Sequence, residues 1–357
     1  MPVSPRPTAL NALAAATYVN YVFTATATLT DGLSSAFVSG KTVTFVYQGQ
    51  TRTGATDGSG LAAATFGAGP SSGTYNYTAA FAADATYVAS SDNANTVTVQ
   101  ERPTTLTAPP VTIYANEVFT ASGTLTDDAD GSGVSGKTIS FVYAGQTRTG
   151  ATIASGLAVA TFDAGSSSGS YNYTAQFAGD ATYGASSDLA NAVTVQQRPT
   201  TVLAVTMPGV YANEVWTATA TLRDTRLANA GVAGKTISFV YQGVTKTAGT
   251  DGSGVAVMTY NANASSGTYG YTASFAGDGT YTSASDAGKT VTVTPRPTNV
   301  VAVSAANVYT LSVWTATATL RDSLNTNTLG GKPISFVYQG TTRGGTTDGS
   351  GVATATF

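Results

Sequence analysis

Residues 23–31 read Phe23-Thr24-Ala25-Thr26-Ala27-Thr28-Leu29-Thr30-Asp31, a strict alternation of apolar and polar side chains. Successive side chains of a β-strand point to opposite faces of the sheet, so the apolar residues from Phe23 to Leu29 share one face and the threonines share the other. β-Branched threonine also suits a pleated surface. The stretch therefore predicts a half-buried strand whose apolar face lies against a core.

The same pattern returns three times along the 357 residues of the chain, at 119–127, 216–224 and 314–322. An Arg-Pro-Thr motif precedes each copy and starts at Arg6, Arg102, Arg198 and Arg296. A spacing of roughly one hundred residues is typical of a small domain and is too long for one coil of a solenoid. We therefore predict a tandem array of four repeats at 1–101, 102–197, 198–295 and 296–357.

Further alternating stretches within one repeat are separated by turn residues. Residues 41–49 alternate, Asp57-Gly58 marks a turn, and residues 74–81 and 96–99 alternate again. Turn signals at this spacing indicate an all-β sandwich. Each complete repeat is predicted to hold about seven strands in two facing sheets.

Four ordered motifs resemble those of bacterial immunoglobulin-like repeat domains of the Big type. They are Gly40-Lys41-Thr42-Val43-Thr44-Phe45, Asp57-Gly58-Ser59-Gly60, Gly73-Thr74-Tyr75-Asn76-Tyr77-Thr78-Ala79 and Phe177-Ala178-Gly179-Asp180-Ala181-Thr182-Tyr183. The resemblance covers essentially the whole chain. It implies tandem immunoglobulin-like β-sandwiches joined end to end as a rod. It also implies a place in large extracellular or cell-surface proteins, as spacers, as adhesive modules or beside catalytic domains.

Composition excludes several classes of function. The chain has no Cys and no His, so a Cys–His or Ser–His–Asp arrangement cannot be built from it, and we expect neither an enzyme nor a cofactor. A net charge of −3 gives no electrostatic basis for binding nucleic acid. No apolar run is long enough for a membrane helix, and the N-terminus has no basic segment followed by an apolar one, so no signal peptide is visible.

Acidic residues cluster in one loop, which reads Asp127-Asp128-Ala129-Asp130-Gly131. Carboxylate oxygens are the ligands that Ca²⁺ prefers, so Asp127, Asp128 and Asp130 are candidate calcium ligands. The alternative is an ordinary solvated loop, because the other repeats lack this cluster. Calcium is the one metal for which the sequence offers a site.

Three triplets fit the acceptor pattern for N-glycosylation, at Asn76, Asn172 and Asn263. Asn76 and Asn172 alternate with inward tyrosines and are expected to face outward. Trp216 and Trp314 could stack on sugars, but they stand where the first two repeats have phenylalanine, which favours packing in the core.

The junctions between repeats contain no Gly/Ser-rich linker. Residues 97–104 run from one predicted strand through Arg102-Pro103 into the next repeat, and proline restricts its own φ and that of its predecessor. Such a stiff array suits a rod-like spacer or polymer subunit in an extracellular bacterial filament, stalk or surface layer. Its expected partners are copies of itself or further repeats of a longer chain.

Two further hypotheses remain open. The array could be an adhesin stalk or binding module that recognises glycan, protein or a host surface through its loops, among which 224–234 is the longest of its kind. It could also be a non-catalytic appendage of a large surface enzyme. The fourth copy ends at Phe357, the counterpart of Phe66, and is predicted to lack the last two strands of its sandwich. We expect a fragment of a longer array or, alternatively, completion by strands from another subunit.

Overall fold

A computed structural model of the chain describes residues 4–303 and 308–357. Throughout these residues the secondary structure consists of strands, bridges and turns, with no helix. The contacts divide the chain into two compact units, Met1–Gln196 and Gln197–Phe357. Each unit contains two of the four sets of strands that the sequence predicts. We propose that each set is one domain with the boundaries given above.

Repeat 1 is a sandwich of a three-stranded and a five-stranded sheet. Its strands are β1 Thr8–Ala12, β2 Ala15–Tyr18, β3 Val22–Asp31, β4 Thr42–Tyr47, β5 Gln50–Ala55, β6 Leu61–Gly67, β7 Gly73–Phe81 and β8 Ser90–Gln100. The sheet orders are β1-β3-β6 and β2-β8-β7-β4-β5. Only β2 and β8 pair in parallel; the other neighbours are antiparallel. The prediction of immunoglobulin-like sandwiches is confirmed at the level of the fold.

Repeat 2 has the same two sheets, in the orders β14-β11-β9 and β10-β16-β15-β12-β13. Its strands are β9 Thr104–Thr107, β10 Val111–Tyr114, β11 Val118–Asp127, β12 Thr138–Tyr143, β13 Gln146–Ala151, β14 Leu157–Asp163, β15 Gly169–Phe177 and β16 Ser186–Gln196.

Repeat 3 adds one short strand to this plan. Its strands are β17 Thr200–Ala204, β18 Met207–Tyr211, β19 Val215–Asp224, β20 Ala230–Gly231, β21 Thr236–Tyr241, β22 Val244–Gly249, β23 Val255–Asn261, β24 Gly267–Phe275 and β25 Ala284–Thr294. The additional strand β20 pairs with the end of β19 and lies in the long loop after it.

Repeat 4 contains β26 Thr298–Val303, β27 Thr315–Asp322, β28 Pro333–Tyr338, β29 Thr341–Thr346 and β30 Val352–Thr356. They form a three-stranded sheet, β26-β27-β30, and a two-stranded sheet, β28-β29. β28 begins at Pro333, whose missing N–H is tolerated at the first residue of a strand.

The predicted alternation decides which side chains enter the core. Phe23, Ala25, Ala27 and Leu29 are all buried between the sheets. The Phe23 ring packs edge-on against Tyr47 at 4.8 Å between ring centroids and stacks on Phe66 at 5.8 Å. Such aromatic pairs add about 0.5–1.5 kcal/mol beyond the burial of their area.

The tryptophans occupy the same core position, as the sequence predicts. Trp216 is 2% exposed and stacks on Tyr260 at 5.6 Å between ring centroids. Trp314 stacks on Phe357 at 5.3 Å and meets Tyr338 edge-on at 5.1 Å. Trp216 is therefore enclosed by the core, whereas Trp314 is half-buried; both rings pack against aromatic side chains of their own repeat, which argues against a role in sugar stacking.

The number of strands differs from the prediction of about seven. The segment after Arg-Pro-Thr is divided into β1 and β2, so a complete repeat has eight principal strands. β1 pairs with β3 in one sheet, and β2 pairs with β8 in the other. The chain crosses between the sheets at residues 13–14. The buried hydroxyl of Tyr77 donates to Leu13 O and also contacts Thr26 O at 3.3 Å, which fixes this crossing.

No helix in the described parts of the chain has the length and apolar character needed to cross a membrane.

Candidate functional site at the repeat junctions

The Arg-Pro-Thr motif is tied to its own repeat by its backbone. Arg6 N donates to Thr86 O at 2.8 Å, and Val88 N donates to Arg6 O at 2.9 Å. Gly32 N donates to Pro7 O at 2.8 Å. The motif therefore connects the β3–β4 loop to the β7–β8 loop at the end where the repeat begins. Equivalent hydrogen bonds hold Arg102 and Arg198.

The arginine side chain pairs with the aspartate that ends the first long strand of its repeat. Arg198 Nε donates to Asp224 at 2.6 Å, Arg296 Nε donates to Asp322 at 2.6 Å, and Arg6 Nε donates to Asp31. All these carboxylates are buried, and a buried charge is costly without a charged partner. The ion pair therefore joins the Arg-Pro-Thr motif to the end of this strand, at the end of the sandwich where the repeat begins.

The pKa values of these aspartates reflect their pairing with arginine. The hydrogen bond from Arg6 is the largest cause that lowers the pKa of Asp31 below its ordinary value, and burial partly opposes it. The hydrogen bond from Arg296 likewise lowers the pKa of Asp322. Both carboxylates are therefore charged across the neutral pH range.

Arg102 also reaches across the junction into repeat 1. Its guanidinium lies 4.9 Å from the centre of the Tyr21 ring and 5.4 Å from the centre of the Tyr183 ring. Nη2 donates to the Tyr21 hydroxyl oxygen at 3.2 Å. Tyr21 belongs to repeat 1 and Tyr183 to repeat 2, so the cation bridges two repeats.

The junction between repeats 3 and 4 has an acidic residue at the position of Tyr21. Glu214 stands where repeat 1 has Tyr21, and its Oε1 lies 3.4 Å from Nη1 of Arg296. A tyrosine face and a carboxylate both attract a guanidinium. Two different side chains at this position thus contact the equivalent arginine of the following repeat.

The turn that presents this position is held by its backbone. Asn20 and Asn213 adopt positive φ of 63° and 60°, a conformation that asparagine tolerates better than most residues. Ala68 N donates to Tyr21 O, and Ala262 N donates to Glu214 O, both at 2.7 Å. The side chain that meets the arginine therefore projects from a fixed turn.

The predicted calcium ligands lie at the junction between repeats 1 and 2. Asp127 is buried and forms an ion pair with Arg102, while Asp130 is exposed and lies 2.6 Å from Arg102 Nη2. Asp128 is exposed, and only its backbone N–H contacts the motif, donating to Pro103 O at 2.9 Å. The guanidinium thus lies between the two carboxylates that a cation would need.

Hydrogen bonds within the loop hold Asp130. The hydroxyl and the backbone N–H of Ser132 donate to Oδ1 and, with Arg102, lower the pKa of Asp130 to about 2. In the described parts of the chain, no three acidic side chains come together as a metal site. These residues do not fit a calcium site while Arg102 is in place, and calcium binding stays a prediction.

The predicted glycosylation residues are placed as follows. Asn76 and Asn172 are exposed on the outer face of β7 and β15, each between two paired strands. Asn263 lies in the loop before β24, where its Oδ1 accepts a hydrogen bond from Ser265 N at 2.8 Å. Their modification stays a prediction.

Several open depressions lie on the described surface. One open depression of about 430 Å³ lies on repeat 2, lined by Thr138, Ser140, Gln176, Phe177, Ala178, Ala185, Ser186 and Ser187. None of these side chains is ionisable at neutral pH, so the depression contains no candidate general acid or base.

The sequence indicated the period and the stiffness of the junctions through Arg-Pro-Thr, but it did not predict the contacts of the arginine side chain. Two signals pointed to them. Every copy of the motif has arginine before proline, and the first long strand of every repeat ends in aspartate. The position of Tyr21 carried no such signal, because it varies among Tyr21, Glu117, Glu214 and Ser312.

No model of a protein family matches this chain. A search of curated proteins finds no match either.

Several solved structures are similar to this chain. One is a Ca²⁺-stabilized adhesin with which an Antarctic bacterium binds ice, with 16% identity, a TM-score of 0.34, and coverage of 99% of this chain and 91% of that one. Another is a tetra-tandem repeat from the extending region of a large adhesion protein, with 15% identity, a TM-score of 0.33, and coverage of 98% and 90%. A third is a three-domain immunoglobulin segment of titin, with 12% identity, a TM-score of 0.30, and coverage of 81% and 97%.

Proposed function

We propose that this chain is a non-enzymatic structural array of an extracellular bacterial protein, in which it acts as a rod-like spacer. The observation that carries the proposal is the bridged junction. Arg102 of repeat 2 contacts Tyr21 of repeat 1, and Arg296 of repeat 4 contacts Glu214 of repeat 3. Side chains that join neighbouring repeats limit bending and keep the ends of an array apart.

The short connection between neighbouring repeats also limits bending. β8 ends at Gln100 and β9 begins at Thr104, so the junction between repeats 1 and 2 has three residues, one of them proline. Proline restricts the backbone on both sides of its peptide bond. A cation–π contact contributes about 0.5–1 kcal/mol at an exposed site. An exposed ion pair contributes about 0–1 kcal/mol. The junction therefore favours one arrangement of the two repeats without locking it.

The proposed setting is the cell surface, where the array would belong to a filament, a stalk or a surface layer. Two of the similar structures come from adhesins, and one of those is an extending region, which agrees with a spacer. The partners would then be further repeats of the same kind or other copies of the chain. Catalysis has no place in this proposal.

A second candidate function is adhesion itself, through a variable loop. The loop after β19 carries the extra strand β20 and exposes the apolar side chain of Leu227. Loops at the end of a sandwich are common binding sites. In this version the array would present the loop to a glycan, a protein or a host surface.

The stiffness of the junction can be tested with Tyr21→Ser, which installs the residue that repeat 4 has at this position. Because the chain has no Cys, one cysteine placed in each of repeats 1 and 2 can be labelled specifically for distance measurements. We expect Tyr21→Ser to broaden the distribution of distances between the repeats. Leu33→Ser, which changes an exposed side chain at the other end of repeat 1, is the matched control.

A wild-type distribution as broad as that of a flexible linker would contradict the spacer. Binding provides the other readout. A selective glycan or protein ligand that requires residues 225–230 would favour the adhesive module instead.

A further inference from the structure

Each repeat has a gap between two strand edges, at the side where its two sheets end. In repeat 1, β5 pairs with β4 alone and β6 pairs with β3 alone among the strands of the described residues. One sheet therefore ends at β5 and the other at β6, and we call the gap between these two strands the edge cleft. The equivalent cleft lies between β13 and β14 in repeat 2, and between β29 and β30 in repeat 4.

A glycine closes one end of the edge cleft. A Cβ built on Gly54 would lie 2.2 Å from Ala63 O, and one built on Gly150 would lie 2.3 Å from Val159 O. No side chain fits so close to a carbonyl oxygen, so only glycine lets the two backbones meet here. Next to this contact in repeat 1 a depression of about 470 Å³ opens, lined by Arg52, Thr53, Ala63, Ala64 and Thr65.

An arginine without a carboxylate partner lies in the edge cleft. Arg52 is exposed, and its guanidinium lies 5.8 Å from the centre of the buried Phe66 ring. Arg148 lies 5.6 Å from the equivalent ring of repeat 2, and Arg343 lies 5.9 Å from that of repeat 4. The arginines of the Arg-Pro-Thr motif form ion pairs, whereas within the described residues no carboxylate pairs with these three. An unpaired guanidinium of this kind attracts an anionic group.

The edge of β5 supplies free backbone groups beside this arginine. Thr56 N donates to Lys41 O at 2.7 Å, which fixes the phase of the ladder between β4 and β5. Because hydrogen-bonded pairs alternate along an antiparallel ladder, Thr51 and Thr53 direct their N–H and C=O groups away from β4. These alternating donors and acceptors match the backbone of an extended peptide.

We propose that the edge clefts of repeats 1, 2 and 4 bind an extended acidic peptide, which pairs with the free edge of β5, β13 or β29. A glutamate or aspartate of the peptide lies opposite the arginine and accepts its hydrogen bonds. In repeat 1, the peptide residues on either side of the acid pair with Thr51 and Thr53. The inference goes beyond the proposed spacer function and does not depend on it, because each cleft lies within one repeat and not at a junction.

Charge favours an acidic peptide over a second copy of this chain. Arg52 is the one charged residue of β5, and Arg148 is the one charged residue of β13. Two such edges paired together would bring two arginines to the same side of the joined sheet, and like charges opposite each other are destabilising. An inward-pointing charge on an edge strand blocks pairing between identical edges. The same charge favours a strand that carries a carboxylate, whose main chain then adds affinity.

Repeat 3 differs at both positions that define the edge cleft. Lys246 stands in place of Arg52, and its Nζ donates to Thr259 O at 2.8 Å, which joins the two strand edges. Ala248 stands in place of Gly54, so the close contact of the two backbones is not available there. Lysine also lacks the planar fork with which arginine holds a carboxylate. We therefore expect repeat 3 not to bind the peptide.

A single edge cleft binds weakly. It offers a few backbone hydrogen bonds and one charged contact, while the peptide loses conformational freedom on binding. We expect a dissociation constant on the order of a millimolar for one short peptide. A partner with several acidic strands would gain affinity by occupying more than one repeat of the array.

The test is hydrogen exchange of the full chain, measured by mass spectrometry with and without a peptide. The probe is the end-blocked heptapeptide Ser-Val-Thr-Glu-Thr-Val-Ser at millimolar concentration. An added strand protects free amide groups, so we expect slower exchange in residues 50–55, 146–151 and 341–346. Residues 244–249 of repeat 3 should exchange at the same rate with and without the peptide.

Arg52→Gln separates the clefts within one molecule. It removes the cation of repeat 1, so the affinity measured at residues 50–55 should fall at least about fivefold. Protection at residues 146–151 should persist and is the internal control. Arg321→Gln removes the same charge from an exposed position outside any cleft and should leave all protection unchanged. A peptide with glutamine in place of glutamate should lose protection in all three clefts.

Repeat 3 allows the reverse experiment. Lys246→Arg together with Ala248→Gly restores the arginine and the glycine that repeats 1 and 2 have at these positions. We expect peptide-dependent protection to appear at residues 244–249 in this variant. A gain of this kind cannot arise from a loss of folding.

Four results would overturn the proposal. The first is the absence of protection in all three strands, and the second is equal protection by the glutamate and glutamine peptides. The third is protection of residues 244–249 in the unchanged chain that equals that of the other repeats. The fourth is the same protection by a polyuronate at equal carboxylate concentration, which would assign the edge cleft to an acidic glycan.

Discussion

Arg102 holds a buried carboxylate of its own repeat and an aromatic ring of the preceding one. Arg102 forms an ion pair with Asp127 and lies 4.9 Å from the centre of the Tyr21 ring, so a single guanidinium serves both the interior of repeat 2 and its contact with repeat 1. Arginine suits both tasks because its planar cation pairs with carboxylates and stacks on rings. The chemistry of each junction is then set by the residue at the position of Tyr21.

Salt should distinguish the two kinds of junction. At 1 M salt the screening length falls to about 3 Å, so the ion pair between Glu214 and Arg296 should weaken. We expect the distribution of distances between repeats 3 and 4 to broaden as salt rises, and that between repeats 1 and 2 to change less. The measurement is the distance between one label in each repeat.

Glu214→Gln is the control for this prediction, because it keeps the size of the side chain and removes its charge. The salt response of the second junction should disappear in this variant. An equal salt response at both junctions would contradict the electrostatic account.

Acid should weaken repeat 1 through Asp84. Its ion pair with Lys41, followed by backbone N–H groups of the loop, lowers the pKa of Asp84 from its usual 3.8 to about 2. A lowered pKa in the folded state stabilises the fold above the ordinary pKa, and this contribution is lost as the pH falls through about 2. We expect the thermal midpoint to decline between about pH 4 and pH 2.

The variants Asp84→Asn and Lys41→Gln test the origin of this decline. Each removes one member of the pair, and each should flatten the pH dependence relative to the unchanged chain, measured by circular dichroism. Profiles that remain parallel to that of the unchanged chain would exclude the pair as the cause.

Calcium should leave the unchanged chain almost unaffected. Arg102 already pairs with both Asp127 and Asp130, and Ca²⁺ needs several free oxygen ligands. We expect the thermal midpoint to be the same in millimolar Ca²⁺ and in chelator. A Ca²⁺-dependent increase that Asp130→Asn abolishes would instead establish the predicted calcium site.

The turn that precedes β6, β14, β23 or β30 approaches another strand of its repeat closely. In repeat 3 this turn ends at Gly254, which has a φ of 79°. A Cβ built on Gly254 would lie 2.4 Å from Leu222 O, while Leu222 N donates to Gly254 O at 2.8 Å. Only glycine combines this conformation with this approach. The turn therefore fixes β23 against β19.

Two substitutions in the same turn give a sharp comparison. Gly254→Ala should destabilise repeat 3 by about 1–3 kcal/mol, because it forces alanine into positive φ against a carbonyl. Gly252→Ala has open space around it and should change the stability little. Denaturant unfolding followed by Trp216 fluorescence measures both. Equal destabilisation by the two substitutions would contradict the argument.

Across the whole molecule, three complete cores and one open one share a single chain. Each complete core is a separate cluster of buried residues. The open repeat retains a buried leucine in β27 but exposes Tyr338. Independent cores lead us to expect that the repeats unfold one at a time.

Stretching a single molecule should reveal these units. Each complete repeat has roughly one hundred residues and should lengthen the chain by about 300 Å when it unfolds. We expect three main unfolding events of similar length and a weaker one from repeat 4. One cooperative event for the whole chain would contradict independent cores.

The alternation of Phe23 to Leu29 was enough to predict the strand, its buried face and the four copies. This worked because a period of two is a local property that appears directly in the residue order. The division of β1 from β2 could not be predicted in this way. It depends on Tyr77, which comes from the far end of the repeat and bonds the carbonyl of Leu13.

Sequence alone therefore determined the all-β class, the period, the core aromatics and the absence of Cys and His chemistry. The tertiary structure decided which side chains the arginines of the Arg-Pro-Thr motif contact. Arg102 and Tyr21 are 81 positions apart, and the same distance in sequence separates Arg102 from Tyr183. No local pattern connects residues so far apart, because they meet only after the sheets have closed and brought the ends of neighbouring repeats together.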